Sequence, residues 1–401
     1  MTTRRWRGTA ALAALVAAQG AIGFDNLLLG KIAPLVAESM GAPLVGLSSV
    51  FVAHHAGLAV GATAGGLLGD RLGRRVVLIA CVILAAVMTL ATPLARSVLE
   101  LAVVRATVGL LLGMAAPCVL ALVTGHVDGR WRGLAVTTTL AANSVGAATG
   151  SIFAMSLTRT PDWGHGFTLS GVLLLGLAIP LLAWPADGPT RGGGRGDPAA
   201  EPLDRAFWRT ATAVAVCFAI SMGLIATLSA WQASYFHHFA AVPVQRFARV
   251  SLLSAPGAIL GMMAIGAAAS RAARSWLIAL IFGAHAAALL LIGNVAFGAP
   301  AFAGVFLVSV MAQAAGQGLL NITVAEVCPS AIRASAYGCF GAIGRAGGIL
   351  APWIAARLLE THLSLAGVFA LLAMAPLAVG AILLGVRRPA EGPFPGRGDR
   401  L

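Results

Sequence analysis

Three ionisable residues stand inside long apolar stretches, where a charged side chain is costly unless it is paired or has a function. They are Asp25, Arg105 and Arg345. One buried anion is therefore accompanied by two buried cations. Such a set can bind a small anion, carry a proton, or do both.

The two residue types predict different roles. A guanidinium in a low-dielectric cavity binds a carboxylate bidentately and keeps its charge, so Arg345 is the candidate for recognising an anionic substrate. Burial disfavours the charged form of a carboxylate, so Asp25 is the candidate for loading and releasing a proton. An ionised Asp25 would compete with the substrate for Arg345, which predicts coupling by mutual exclusion. The alternative is a structural ion pair between Asp25 and Arg345.

Weaker candidates surround these three. Arg105 either binds the substrate or snorkels to the nearer membrane surface. Three amide side chains recur at i, i+4 and i+8 and so share one face of a helix: Gln313, Gln317 and Asn321. They form either a substrate surface or hydrogen bonds between helices. The same surface is predicted to include three more polar residues: Asn26, Gln232 and Tyr235.

The composition indicates that these residues sit in a membrane protein. Hydrophobic residues make up 59% of the chain and charged residues only 10%, whereas a soluble domain carries about 25% charged residues. So little polarity could not cover a soluble protein of 401 residues. In lipid, each backbone amide must be satisfied within its own segment, so long apolar spans predict helices.

Twelve segments are apolar for about the 20 residues that a membrane crossing needs. They lie at about 9–38, 44–68, 76–95, 98–125, 133–157, 165–184, 209–237, 246–269, 275–296, 300–326, 333–357 and 363–386. The predicted fold class is an all-α integral membrane protein with twelve transmembrane helices in two pseudo-symmetric six-helix bundles. Residues 1–184 form the first bundle, 185–208 a Pro- and Gly-rich cytoplasmic linker, 209–386 the second bundle, and 387–401 a tail.

The basic residues predict the orientation. With the N-terminus inside, the tails and inner loops hold nineteen arginines, whereas the opposite side holds only six basic residues, among which we count Lys31. This bias places both termini in the cytoplasm of a multi-pass inner-membrane protein. The net charge of +13 is therefore a topology signal, and it does not indicate a nucleic-acid partner.

One charged turn between apolar spans is specific enough to identify a family. Its residues are Gly69, Asp70, Arg71, Gly73, Arg74 and Arg75. This segment resembles the loop after the second helix of the major facilitator superfamily, whose pattern is Gly-X-X-X-Asp-Arg-X-Gly-Arg-Arg. The resemblance implies a transporter that works by alternating access.

A second element resembles the same family. Glu326 and Arg333 match its Glu-X-X-Pro-X-X-X-Arg element at the end of the tenth span. In the family, the loop after the second helix packs near the start of the eleventh. The resemblance therefore implies that Asp70, Arg74, Glu326 and Arg333 form a cytoplasmic latch in the outward-open state. The pseudo-symmetric copy of this latch has lost its acids, because Ser270 and Gly125 stand where they would be.

The Gly-Phe-Asp of the first span, the Arg-X-X-X-Gly of the fourth and the Gly-Arg-X-Gly-Gly of the eleventh resemble the aromatic acid:proton symporter branch. This implies proton-coupled uptake of a small organic anion such as an aromatic carboxylate. The chain departs from the branch at Ile22 and Gly125, where the branch has acids, so proton coupling rests on Asp25 alone or follows another route.

Other functions stay open on the residues alone. The runner-up is proton-coupled efflux of drugs or metabolites, although the fifth span lacks the Gly-Pro element of such exporters. A receptor that kept the fold but lost transport is a third possibility. An enzyme is disfavoured, because no nucleophile with a base, metal cluster or phosphate loop stands outside the spans. We expect no cofactor and no metal, and family precedent implies a monomer.

Overall fold

The computed structural model describes residues 2–127, 129–157, 160–183, 205–268, 274–328 and 333–386. These residues form thirteen α-helices joined by short turns and 3₁₀ segments. The helices are α1 (Thr2–Ser39), α2 (Ser48–Leu72), α3 (Arg74–Ala91), α4 (Val98–His126), α5 (Gly129–Ser156), α6 (Gly164–Ala183), α7 (Arg205–Ala240), α8 (Val244–Ser251), α9 (Ser254–Ala268), α10 (Arg274–Asn294), α11 (Pro300–Val327), α12 (Arg333–Ala356) and α13 (Leu365–Gly385).

The prediction of an all-α membrane protein is confirmed. Eleven helical segments are long and apolar enough to cross a membrane, with α8 and α9 together making one of them. Helix α5 occupies the remaining predicted position and is 28 residues long. The linker predicted at 185–208 lies mostly outside the described residues, although α7 already begins at Arg205. The tail at 387–401 also lies outside them.

The eighth span differs from its prediction as one continuous helix over 246–269. It begins at Val244 and is broken after Ser251 into α8 and α9. Pro256 has no N–H to donate to the carbonyl of Leu252, and its ring would clash with that carbonyl in a continuous helix. The break therefore falls one turn before the proline, where Leu252 and Leu253 form a turn.

The turn between α2 and α3 contains fewer residues than the charged motif that spans it. Asp70 and Arg71 still belong to the last turn of α2, and α3 begins at Arg74. Gly73 alone reverses the chain between them, with φ 95° and ψ 127°. An L-residue would be strained at that φ, so the glycine in the motif has a backbone reason. We call this side of the molecule the Asp70 face.

The helices of α1–α6 and of α7–α13 each enclose a buried apolar cluster of their own. A third cluster lies on the side opposite the Asp70 face and draws residues from both groups, including Phe51 and Trp231, whose rings meet edge to face at 4.9 Å. We call that side the packed face. Gln245 of α8 also donates to the backbone oxygen of Leu157, just after α5, at 2.7 Å. The two halves are thus held together mainly at the packed face.

Candidate functional site

A cavity of about 230 Å³ lies between the two halves of the molecule. Helices α1 and α5 line it from the N-terminal half, and α7, α8, α9 and α11 from the C-terminal half. Its polar lining consists of Lys31, Asn143, Ser144, Ser229, Gln232, Ser251, Ser254, Ser309 and Gln313. The remaining wall is mostly apolar and includes Phe247 and Phe306. A concave, largely apolar site with a few polar groups is the usual form of a small-molecule site.

Lys31 supplies the one charged side chain among the described residues that line this cavity. Its ammonium donates a hydrogen bond to Ser251 Oγ at 3.4 Å, which is long for such a bond. Ser251 Oγ lies 2.9 Å from Ser151 Oγ on α5. Lys31 therefore extends from the N-terminal half across the cavity to α8 of the C-terminal half.

Lys31 was counted only as a topology marker of the outer side, although it falls within the first predicted span, 9–38. Helix α1 continues to Ser39, so Lys31 lies about two helical turns inside it. One sequence signal pointed to this residue: of the 27 basic residues in the chain, 26 are arginines and Lys31 is the single lysine. Because we counted lysine and arginine together as topology markers, we missed that signal.

Asp25 and Arg105 form a fully buried ion pair. Arg105 Nη2 donates to Asp25 Oδ1 at 2.7 Å, and both side chains have an exposed fraction of 0%. Thr89 and Ser170 each donate a hydroxyl hydrogen bond to Asp25 Oδ2 at 3.1 Å. The Arg105 guanidinium also lies over the ring of Phe167, at 5.1 Å from its centre. Four helices of the N-terminal half, α1, α3, α4 and α6, thus meet at one carboxylate.

This geometry corrects two predictions. The partner of Asp25 is Arg105 in its own half, and not Arg345, so the proposed competition for Arg345 has no basis in this arrangement. Arg105 does not snorkel, because its side chain is wholly buried, and it does not line the cavity as a substrate residue would. Their positions inside apolar spans identified both residues as buried, but these positions could not say which helices are neighbours.

Arg345 does not line this cavity. It is an exposed residue of α12, and the cavity lining does not include it. Its Nη1 would lie 3.7 Å from a Cβ placed on Gly341, so the guanidinium folds back along its own helix toward the Asp70 face. Its predicted role in substrate recognition is therefore not supported by its position.

The polar residues predicted on other helices divide into two groups. Gln232 and Gln313 line the cavity, whereas Gln317 accepts a hydrogen bond from Ser221 at 3.1 Å, and Asn321 lies a further turn along α11 toward the Asp70 face. Tyr235 is fully buried, and its hydroxyl donates to the backbone oxygen of Ala355 at 2.7 Å.

Tyr235 therefore joins α7 to α12 and does not face a substrate. Asn26, beside Asp25, is also absent from the lining. Both residues were predicted as substrate-binding, and both lie elsewhere because a helix turns them away from the cavity within one or two residues of a lining position.

The predicted latch residues form pairs within each half. Arg74 donates to Asp70 at 3.1 Å, and Arg75 donates to the backbone oxygens of Leu181 and Leu182 at 3.2 and 2.9 Å. Gly69 is buried at the end of α2, and Arg71 is exposed beside it.

Across the molecule, Arg274 pairs with Glu326 and donates to Thr323 at 2.9 Å. The side chain of Arg333 lies outside the described residues. Because the halves pack on the opposite face, the described ion pairs at the Asp70 face do not join them in this conformation.

The chain resembles known proteins over most of its length. The family profile described as Major Facilitator Superfamily matches residues 15–352. The 3-(3-hydroxy-phenyl)propionate transporter of Escherichia coli (strain K12) is 29% identical over 366 residues, which is 89% of this chain and 89% of that protein. The gentisate transporter of Corynebacterium glutamicum is 25% identical over 386 residues, covering 91% and 84% of the two chains.

Among solved structures, the inward open conformation of the xylose transporter XylE from E. coli has a TM-score of 0.75 to this structure. It is 14% identical in sequence, and the match covers 96% of this chain and 97% of that one. At that identity the likeness concerns the fold alone, whereas both curated relatives are aromatic-acid transporters.

Proposed function

Because the chain belongs to the Major Facilitator Superfamily, we propose that it carries a small aromatic carboxylate into the cell together with protons, by alternating access. Its two nearly full-length relatives are named for the transport of aromatic acids. The site is the cavity between the halves. We place the protein in the inner membrane as a monomer, with both termini and the Asp70 face in the cytoplasm.

The cavity is the observation that carries this proposal. An apolar cavity of about 150 Å³ is large enough to hold benzene, so one of about 230 Å³ accommodates a single ring with a short acid group. Its wall offers rings, neutral amides and hydroxyls, and one cation. That chemistry suits a molecule with one apolar ring, one or two hydroxyls and a single negative charge.

The observed conformation is consistent with one of the two states of a transport cycle. The halves are packed together on the side that we place outside, through Phe51, Trp231 and Gln245. In the other state of the transport cycle, these contacts would separate and the Asp70 face would close. The latch of Asp70, Arg74, Glu326 and Arg333 would then form across the halves.

Asp25 remains the proposed proton site, in a changed role. A proton taken up by its carboxylate would cancel the charge that holds Arg105 and would weaken the contacts of α1 with α3, α4 and α6. Leu27 and Lys31, on the same helix, line the cavity. Proton binding and substrate binding would therefore communicate through a shift of α1, without a shared ligand.

Purified protein in proteoliposomes tests the proposal. We expect labelled 3-(3-hydroxyphenyl)propionate or gentisate to accumulate inside when an inward proton gradient is imposed. Without the gradient, its concentration inside should rise only to the concentration outside. The matched amide of the accumulated acid should not accumulate. If no aromatic acid accumulates under either condition, the proposal is contradicted and efflux becomes the better interpretation.

Asp70→Asn should reduce transport without unfolding the protein. The carboxylate is 64% exposed, and its described ion pair is with Arg74 across the Gly73 turn, so its loss should change stability by under about 1 kcal/mol. Uptake should fall several-fold because the latch stabilises the conformation that is closed at the Asp70 face. Glu360→Gln is the matched control, since it breaks an exposed pair with Arg357 at the packed face. Equal effects of the two variants on uptake would exclude a latch.

A further inference from the structure

Lys31 stands out by both its chemistry and its position. The chain uses arginine for every other basic residue, so the lysine at 31 is an exception among 27. It is also the one charged side chain among the described residues lining the cavity. A lysine presents a compact ammonium with three donors, whereas an arginine presents a wide planar fork.

The surrounding helices place the ammonium inside the cavity. A Cβ on Gly150 would lie 3.5 and 3.6 Å from Lys31 Cδ and Cε, so the stem of the lysine runs across the bare backbone of α5. On the other side of α1, a Cβ on Gly30 would lie 1.9 Å from the backbone oxygen of Ser229. These contacts with α5 and α7 fix the position of α1 at the residue where it enters the cavity.

The ammonium is poorly compensated where it lies. Within the described residues, its one hydrogen bond is the 3.4 Å contact with Ser251, whose hydroxyl is shared with Ser151 and the backbone oxygen of Ala248. No carboxylate among the described residues pairs with it, since Asp25 is bound to Arg105. A partly buried cation without a counter-ion is unfavourable, and an anion that enters the cavity would supply one.

We propose that the Lys31 ammonium binds the carboxylate of the substrate beside the Ser251 hydroxyl, which also lines the cavity. This assignment rests on the proposed function and names the anion-binding group of that same cavity. The ring then occupies the part of the cavity lined by Phe247 and Phe306. Because Lys31 belongs to one half and Ser251 to the other, the bound carboxylate joins the two halves.

The single lysine allows a direct test by chemical labelling. A small acetylating reagent such as N-acetoxysuccinimide can modify only two kinds of amine in the chain, Lys31 and the N-terminal amine. We expect 3-(3-hydroxyphenyl)propionate to slow acetylation of Lys31 at least five-fold, as measured by peptide mass spectrometry. The corresponding amide should not protect Lys31. Acetylation of the N-terminal amine is the internal control and should be unchanged.

Substitutions give an independent test. Lys31→Gln should raise the KM for the acid at least ten-fold and remove the preference for the acid over its amide. Lys31→Arg should also raise the KM for the acid, because a planar guanidinium directs its donors differently from a compact ammonium. Arg357→Gln is the control for the loss of one positive charge, because the Arg357 side chain is exposed at the packed face. This variant should leave the KM within two-fold.

The outcomes separate the two proposals. If the wild-type protein transports no aromatic acid, the proposed function fails. If it transports the acid but shows no protection of Lys31, or if Lys31→Gln keeps the wild-type KM and acid preference, the assignment of Lys31 fails alone. A loss of acid recognition in Arg345→Gln, with none in Lys31→Gln, would return that role to the residue first predicted for it. The labelling test uses the wild-type protein, so it does not depend on whether a variant folds.

Discussion

Asp25→Asn is expected to abolish gradient-driven accumulation and to destabilise the folded protein by about 3–5 kcal/mol, the usual effect of removing one partner of a buried ion pair. The asparagine is nearly isosteric and can still accept from Thr89 and Ser170. It cannot neutralise Arg105, whose side chain has an exposed fraction of 0%. Thermal unfolding in detergent and uptake into proteoliposomes measure the two effects.

The double variant Asp25→Asn, Arg105→Gln is the matched control for this prediction. It removes both charges, so most of the lost stability should return, whereas proton-driven accumulation should not. Exchange of labelled for unlabelled substrate needs no proton gradient, and we expect Asp25→Asn to keep it. If Asp25→Asn accumulates substrate as the wild type does, the proton site lies elsewhere. If exchange is lost while the protein stays folded, Asp25 acts in substrate binding.

The membrane fold could be predicted from the sequence because few solutions exist for apolar segments of this length. A chain that crosses lipid must satisfy its amides internally, so twelve apolar runs predict helices whatever their contacts. The break between α8 and α9 was missed although Pro256 signals it, since a proline disrupts the helix four residues before itself. Pro117 and Pro180, however, lie inside continuous helices, so a proline alone does not predict where a span breaks.

The site could be predicted only in part. Asp25 and Arg105 were recognised as buried charges, but their pairing depends on which helices are neighbours, and hydrophobic periodicity does not contain that information. The same limit explains why Arg345 and Tyr235 were predicted at the cavity and lie outside it. Lys31 was missed for another reason, because a pooled count of basic residues hid the single lysine among arginines.

Gly30→Ala should shift the protein toward conformations in which the packed face is open. Its new Cβ would lie 1.9 Å from the backbone oxygen of Ser229 and 3.0 Å from the Cα of Ala230. Backbone atoms cannot rotate away as a side chain can, so α1 and α7 must move apart. This contact joins the two halves beside the cavity, and we expect uptake to fall at least ten-fold because the packed face no longer closes.

Val45 lies between α1 and α2, and Thr361 lies between α12 and α13, where the two halves meet at the packed face. Spin labels at these two positions, in a background in which the exposed Cys339 is serine, measure the opening. The distance between them should increase in Gly30→Ala. Gly66→Ala is the neutral control, because nothing lies within 4 Å of its added Cβ.

Gly146→Ala is the sharper control. Its Cβ would lie 1.8 Å from the backbone oxygen of Gly20, a clash of the same size, but between α1 and α5 of one half. It should lower stability without increasing the distance across the packed face. If both variants widen the packed face equally, the opening reflects general loosening of α1, and the Gly30 contact does not control which face is closed. If only Gly30→Ala widens it, a single backbone contact next to Lys31 sets the conformational balance at the point where the substrate would bind.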